Sequence, residues 1–328
     1  MTAQAYAAKF AGLVVNRRAD RARPHKICML LAVLDLARAG RLIDNMVLYG
    51  PELLERYSTY FEAVRAPGEA LHAYYPFFHL KGRLADGSPS FWHLVPQPGR
   101  ADALRAMESP RRLSDLTENV AYATLDPELH QLLQSEASID FLSVALSQHW
   151  FHRGLQDLAA VVERSSRVSH YERTLRGVAS IALAGEPLPP AYVRNPAFRR
   201  VVTQAYDYRC AASGVRILLP NGEAMVEAAH IHPFSEAGDD DPCNGLALSP
   251  DMHWAMDHNL IAPGPDFRWY VSRLLDPRVP DYRSLRDLDE RELLLPMESR
   301  MYPKREALAW RLERLRDSEW TPLGSTTQ

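Results

Sequence analysis

The stretch Val226-Glu227-Ala228-Ala229-His230-Ile231-His232-Pro233-Phe234 constrains what this chain can fold into more than any other. It reads as a short apolar strand that ends in His230. A turn-rich run, Ser235 to Pro242, interrupts it. Asn244 comes 14 residues after His230, and His253 another 9 after that. Met252 to Asp257 reads as one and a half helical turns, which sets His253 and Asp257 at i and i+4 on one face. A strand, loop and helix that gather a His, an Asn and a His/Asp pair suit one divalent cation and one general base. The competing reading is a pair of buried histidines in an ordinary core.

This stretch resembles the HNH nucleases, whose fold is a ββα-metal finger. Phe198-Arg199-Arg200-Val201-Val202, and then Tyr208-Arg209-Cys210-Ala211-Ala212-Ser213-Gly214, are similar to that family's opening helix and first turn. Asn244-Gly245-Leu246-Ala247-Leu248 and Asp257 fit as well, so the likeness runs over about residues 194 to 265. The resemblance implies a general base at His230, a loop-fixing Asn244 that can also bind metal, and a metal ligand at His253. The cofactor it implies is a divalent ion, Mg²⁺ or Mn²⁺. Many family members carry an Asp ligand just before the base. Ala229 stands there and cannot ligate, so Asp257, or failing that Glu227, is left to complete the metal shell.

A chain of 328 residues can bury two cores. Apolar and charged contents of 46% and 24% are those of a globular protein. No run is long and apolar enough for a membrane span, and the N-terminus lacks a secretory pattern. Cys28, Cys210 and Cys243 form no CxxC pair, so the four-Cys structural zinc of some HNH proteins is missing. Sparse thiols fit a reducing cytoplasm. A net charge of −3 argues against a generic nucleic-acid coat, but residues 9 to 26 carry Lys9, Arg17, Arg18, Arg21, Arg23 and Lys26 against Asp20 alone. Lysine occurs only at 9, 26, 81 and 304. Arginine offers a planar fork for phosphate, although genome composition alone also produces such a bias.

Along the chain, residues 3 to 15 read as a short helix. Pro24-His25-Lys26 opens a helix that is apolar on most faces and stops at Gly40. His25 and Lys26 lie at its N-terminal end, where free N–H groups favour an anion. Pro51 to Val64 reads as an amphipathic helix. The aromatic run Tyr74 to Leu80 and the segment Phe91 to Val95 read as neighbouring strands. Residues 101 to 160 are helical in pattern. Gly185 to Pro190 is a semi-rigid break, Trp269 to Ser272 a strand, Lys304 to Arg316 an amphipathic helix, and the last eight residues a frayed end.

Pro24-His25-Lys26, its leucine-rich helix and Tyr75-Pro76-Phe77-Phe78 resemble the sulfur-binding domain that precedes HNH modules in type IV restriction endonucleases acting on phosphorothioated DNA. The resemblance implies a small apolar pocket around Tyr75 and Pro76 for sulfur, with His25 and Lys26 gripping the neighbouring backbone. Arg18 and Arg100 match flanking arginines by spacing alone, and Phe78 borders the pocket. Sulfur is larger, softer and less hydrated than oxygen, so an apolar wall selects it where a hydrogen-bond donor would favour oxygen. The plainer readings are core packing for Tyr74 to Phe78 and a helix cap for His25.

The fold expected is α+β. A sulfur-binding-like domain of helices and a small sheet takes residues 1–155, a helical linker 156–190, and an HNH nuclease domain 191–328. The function implied is metal-dependent cleavage of phosphorothioated double-stranded DNA by a cytoplasmic enzyme. An HNH nuclease that reads a methylated or otherwise modified base, with the aromatic 74–92 region stacking it, is one alternative. A DNA-binding protein with an inactive finger is the other. One site cuts one strand, so a homodimer is expected.

Overall fold

The structure, a computed structural model, describes residues 1–18, 21–151, 158–177 and 188–320. The chain divides into two compact units. Met1–Arg173 with Leu219–Glu223 form the first, and Thr174–Leu218 with Ala224–Gln328 the second. No helix among the described residues is long and apolar enough to cross a membrane.

The N-terminal unit is built around α2. Its elements are α1 (Ala3–Ala11), β1 (Arg17–Arg18), β2 (Arg21–Ala22), α2 (His25–Arg38), α3 (Pro51–Val64), α4 (Tyr74–His79), β3 (Trp92–Pro96), α5 (Ala101–Ala106), α6 (Leu113–Thr117), β4 (Val120–Leu125), α7 (Pro127–Leu132), α8 (Glu136–Phe151) and α9 (Leu158–Leu175). Every residue of α2 from Ile27 to Arg38 is buried, as an all-round apolar helix must be. Gly40 at φ 71° supplies the left-handed turn that ends this segment. The apolar side of α3 (Leu53, Leu54, Tyr57, Tyr60, Phe61 and Val64) is buried as its spacing requires.

Buried charges in this unit are paired. Asp35 takes Arg38 at 2.6 Å and the Tyr60 hydroxyl at 2.7 Å, and Ser165 of α9 also donates to it. Arg56 Nη2 meets both oxygens of Glu172 at 2.6 and 2.7 Å with neither side chain exposed. These bonds fix α9, which begins inside the segment read as a linker, onto the core of the N-terminal unit. The Gly185–Pro187 part of the expected break and the last eight residues lie outside the described residues.

Two expectations fail. Tyr74 to His79 is helix, not strand. Its β-forming aromatics are overruled because Pro76 lies in the first turn, where a missing N–H costs nothing, while Phe77 and Phe78 turn into the core with no exposure. The helical pattern over 101–160 is interrupted by β4. This strand pairs antiparallel with β3, from Trp92 opposite Leu125 to Pro96 opposite Val120. From Tyr122 to Leu125 its burial alternates with the period of a half-buried strand.

The C-terminal unit carries α10 (Ala191–Ala205), β5 (Glu227–His230), α11 (Phe234–Ala237), β6 (Gly245–Leu248), α12 (Pro250–Asp257), β7 (Ile261–Pro263), β8 (Trp269–Val271), α13 (Arg283–Arg286) and α14 (Arg305–Trp320). β5 and β6 form an antiparallel pair with His230 opposite Gly245, and α12 follows directly. The order is therefore strand, strand, helix. The core beneath them contains Phe198, Val202, Ala229, Ile231, Leu246, Leu248, Met256 and Trp269. Gly245 is obligatory here, because a Cβ would lie 2.6 Å from Val202 and 2.8 Å from Phe198 of α10.

Candidate functional site

His230 is the last residue of β5, and its side chain keeps 22% exposure. Its ring is clamped. Phe198 stacks on it at 4.0 Å with an interplanar angle of 2°, and Nε2 lies 3.0 Å from Asp240 Oδ1. Asp240 is buried, and its second oxygen accepts from Arg194 Nη1 at 2.8 Å. Burial would raise this carboxyl, but the bonds from His230 and Arg194 outweigh it and hold Asp240 below the usual carboxylate range. Arg194 in turn lies over the Phe234 ring at 3.7 Å.

Asn244 is 1% exposed and straps the loop. Its Oδ1 accepts from the His232 N–H at 2.9 Å, and its Nδ2 donates to the carbonyls of His232 and Asp239 at 2.9 and 3.1 Å. The amide is thus engaged in closing residues 232–244 on themselves.

His253 stands on α12 between two carboxylates. Nδ1 lies 2.9 Å from Glu227 Oε2, and Nε2 lies 3.5 Å from Asp257 Oδ2. A ring that donates one N–H to a carboxylate leaves its other nitrogen to a metal. An octahedral cation with ligands at about 2.0–2.1 Å places neighbouring donors about 3 Å apart, so the His253/Asp257 pair fits one with a small closure. Among the described residues no three His, Cys, Asp or Glu side chains form a complete metal cluster. This donor set suits a hard cation that keeps water and substrate oxygens in its remaining positions. Ala229 is wholly buried in the core, so an acid at that position would point away from solvent.

Two residues of this site carried no recognisable sequence signal. Asp240 lies in an acidic run that reads only as a turn. Arg311 of α14, some 80 residues beyond His230, donates Nε to the Ile231 carbonyl at 2.6 Å and Nη2 to the His230 carbonyl at 3.2 Å.

The N-terminal unit holds a cavity of about 600 Å³. His25, Lys26, Tyr75 and Pro76 line it together, with Val14, Arg23, Glu69, His72, His79 and Ser109. The helical register of α4 explains the pairing of Tyr75 with His79, whose rings are nearly parallel at 6.3 Å. No side chain caps the N-terminal end of α2, where His25 and Lys26 sit. Lys26 Nζ donates to the Val14 carbonyl at 2.9 Å, and burial holds its pKa below the ordinary lysine value. Burial also lowers His25, and burial with the Lys26 and Lys81 charges lowers His79.

The structure does not bring every expected residue to this cavity. Phe78 is fully buried beneath Lys81 and belongs to the core. Arg100 is exposed at the start of α5 and does not line the cavity. Arg18 lies in β1, and its side chain is outside the described part.

No curated protein matches the chain. Among solved structures, a modification-dependent TagI restriction endonuclease is similar at 19% identity with a TM-score of 0.28, over 41% of this chain and 42% of that one. This chain thus spans less than half the length of that protein. Residues 210–262, which hold β5, β6, α12 and the His230/Asn244/His253 set, match the family of HNH endonucleases. The C-terminal unit therefore contains an HNH endonuclease domain.

Proposed function

We propose that this chain is a restriction endonuclease that reads phosphorothioate-modified double-stranded DNA through its N-terminal cavity and cuts the DNA with its HNH site. The observation that carries the reading is the cavity itself. Two segments some fifty residues apart supply its anion-favouring end, His25 and Lys26 at an uncapped helix N-terminus, and its apolar wall, Tyr75 and Pro76. A partly dehydrated lysine beside an apolar wall suits a phosphate group in which one oxygen is replaced by a softer atom.

In the HNH site His230 takes the proton of the attacking water, and Asn244 holds the loop that brings His230 and α12 together. His253 and Asp257, with Glu227 orienting the imidazole, would hold Mg²⁺ or Mn²⁺. When bound, the ion supplies positive charge for the scissile phosphate and the leaving 3′ oxygen. The enzyme is proposed to be cytoplasmic. It is also proposed to work as a homodimer on DNA, because one base and one metal serve one strand.

Competition binding with phosphorothioated, methylated and plain duplexes tests the reader. A preference for the methylated duplex would instead favour a base-reading pocket. Cleavage with and without Mg²⁺ or Mn²⁺ tests the nuclease, and its absence under both metals would leave a DNA-binding protein. Light scattering with and without the modified duplex tests the dimer. A strict monomer that still makes double-strand breaks would refute it.

A further inference from the structure

We propose that Asp240, anchored by Arg194, is the positioning residue for His230. This rests on the nuclease reading above and extends it to a residue outside the His/Asn/His set. Asp240 Oδ1 lies 3.0 Å from His230 Nε2, and its side chain is 3% exposed, so this is no casual surface pair. A carboxylate there fixes the tautomer. Nε2 carries the proton and donates it to Asp240, which leaves the lone pair of Nδ1 for water. Phe198 holds the face of the ring at 4.0 Å, and β5 holds its backbone. Among the described residues, the charged groups at this edge of the ring include Asp240 and, behind it, Arg194 at 2.8 Å.

In the reaction, water gives one proton to His230 Nδ1 as its oxygen bonds to phosphorus. The P–O3′ bond breaks, and the departing 3′ oxygen is protonated from solvent. The imidazolium that forms keeps its Nε2–H on Asp240, which stays ionised. The carboxylate therefore keeps the ring in one orientation while the proton arrives. Arg194 neutralises the buried carboxylate before the transfer and stops it from rotating.

The test is single-turnover cleavage of a phosphorothioated duplex by the full chain with Mg²⁺ or Mn²⁺. Wild type, His230→Ala, Asp240→Asn, Asp240→Glu and Arg194→Gln are compared, with DNA affinity measured alongside. Asp240→Asn should cut about 100-fold or more slowly with affinity within about twofold. Asp240→Glu, which keeps the carboxylate, should recover at least about tenfold of the lost rate. Arg194→Gln should lose about tenfold in rate at unchanged affinity. If wild type cuts and His230→Ala does not, yet Asp240→Asn keeps the wild-type rate or Asp240→Glu recovers none of the rate lost in Asp240→Asn, the positioning role is overturned and the nuclease reading stands. Should Asp240→Asn fail to fold, Arg194→Gln decides, and a wild-type rate there overturns the proposal. Wild type that cuts nothing with either metal overturns the nuclease reading itself, and this proposal with it.

Discussion

Arg311 Nε reaches the carbonyl oxygen of Ile231 at 2.6 Å from within the core, and its neighbouring nitrogen reaches the carbonyl of His230. The C-terminal helix thereby grips the strand end that presents the candidate base. Burial pushes this guanidinium below its ordinary pKa, and the carbonyls it satisfies compensate for its dehydration. Arg311→Met should leave those carbonyls without donors and cost about 2 kcal/mol. The urea midpoint of the C-terminal unit is the measurement. An unchanged midpoint would show that water replaces the guanidinium.

Metal affinity should follow α12. His253→Ala should abolish cleavage, with only partial rescue by excess metal. Asp257→Ala and Glu227→Gln should each raise the metal concentration for half-maximal cleavage by about 10- to 100-fold. Titrating Mn²⁺ against cleavage rate checks this. Wild-type behaviour of Asp257→Ala at limiting metal would place the second donor elsewhere.

In the N-terminal cavity, Tyr75→Ala or Pro76→Ala should erase the preference for phosphorothioated over plain DNA while weak general affinity survives. Lys26→Ala should instead weaken binding to both duplexes and reduce the slope of log affinity against log salt by about one. Fluorescence anisotropy at several salt concentrations separates the two effects. Equal losses on both DNAs for the Tyr75 variant would make that ring a packing element.

Asp126 offers a pH signature of stability. Burial would raise its carboxyl, but His93, Lys9 and Tyr6 all bond to it and the net shift is downward. A depressed carboxylate stabilises the fold above the ordinary value of about 3.9 and loses that contribution as pH falls through the lower folded value. Asp126→Asn should therefore cost about 1 kcal/mol at pH 7, and the gap to wild type should shrink as pH falls below the ordinary carboxylate value of about 3.9. Thermal melts at pH 7, 5 and 3 read this directly. A gap independent of pH would assign the loss to packing.

The elements legible in the sequence were those written in local code. Pro51 and the spacing of its apolar residues gave α3, Pro24 and Gly40 bracketed α2, and the His230/Asn244/His253 spacing gave the strand–loop–helix of the site. The aromatic run at 74–79 misled because its residues favour strands in isolation, whereas burial of Phe77 and Phe78 and the placement of Pro76 favoured a helical turn. Phe78 was placed beside the cavity by the resemblance alone. The fold buries it fully beneath Lys81 instead. Asp240 and Arg311 were illegible for a different reason. Each matters through a partner fixed only when the loop closes or a distant helix docks, and neither leaves a periodic trace.

Gly245 has no functional group, yet it decides how near α10 can come to the strand pair. The same Phe198 ring that such a Cβ would meet is stacked parallel on His230 at 4.0 Å. A single added methyl would wedge helix from strand and let the imidazole rock. A saturation-mutagenesis screen scored on DNA cleavage would then rank this chemically silent position beside the histidine it faces across the sheet. Intolerance in such a screen would therefore not, by itself, distinguish the residue that moves a proton from the one that keeps the proton acceptor still.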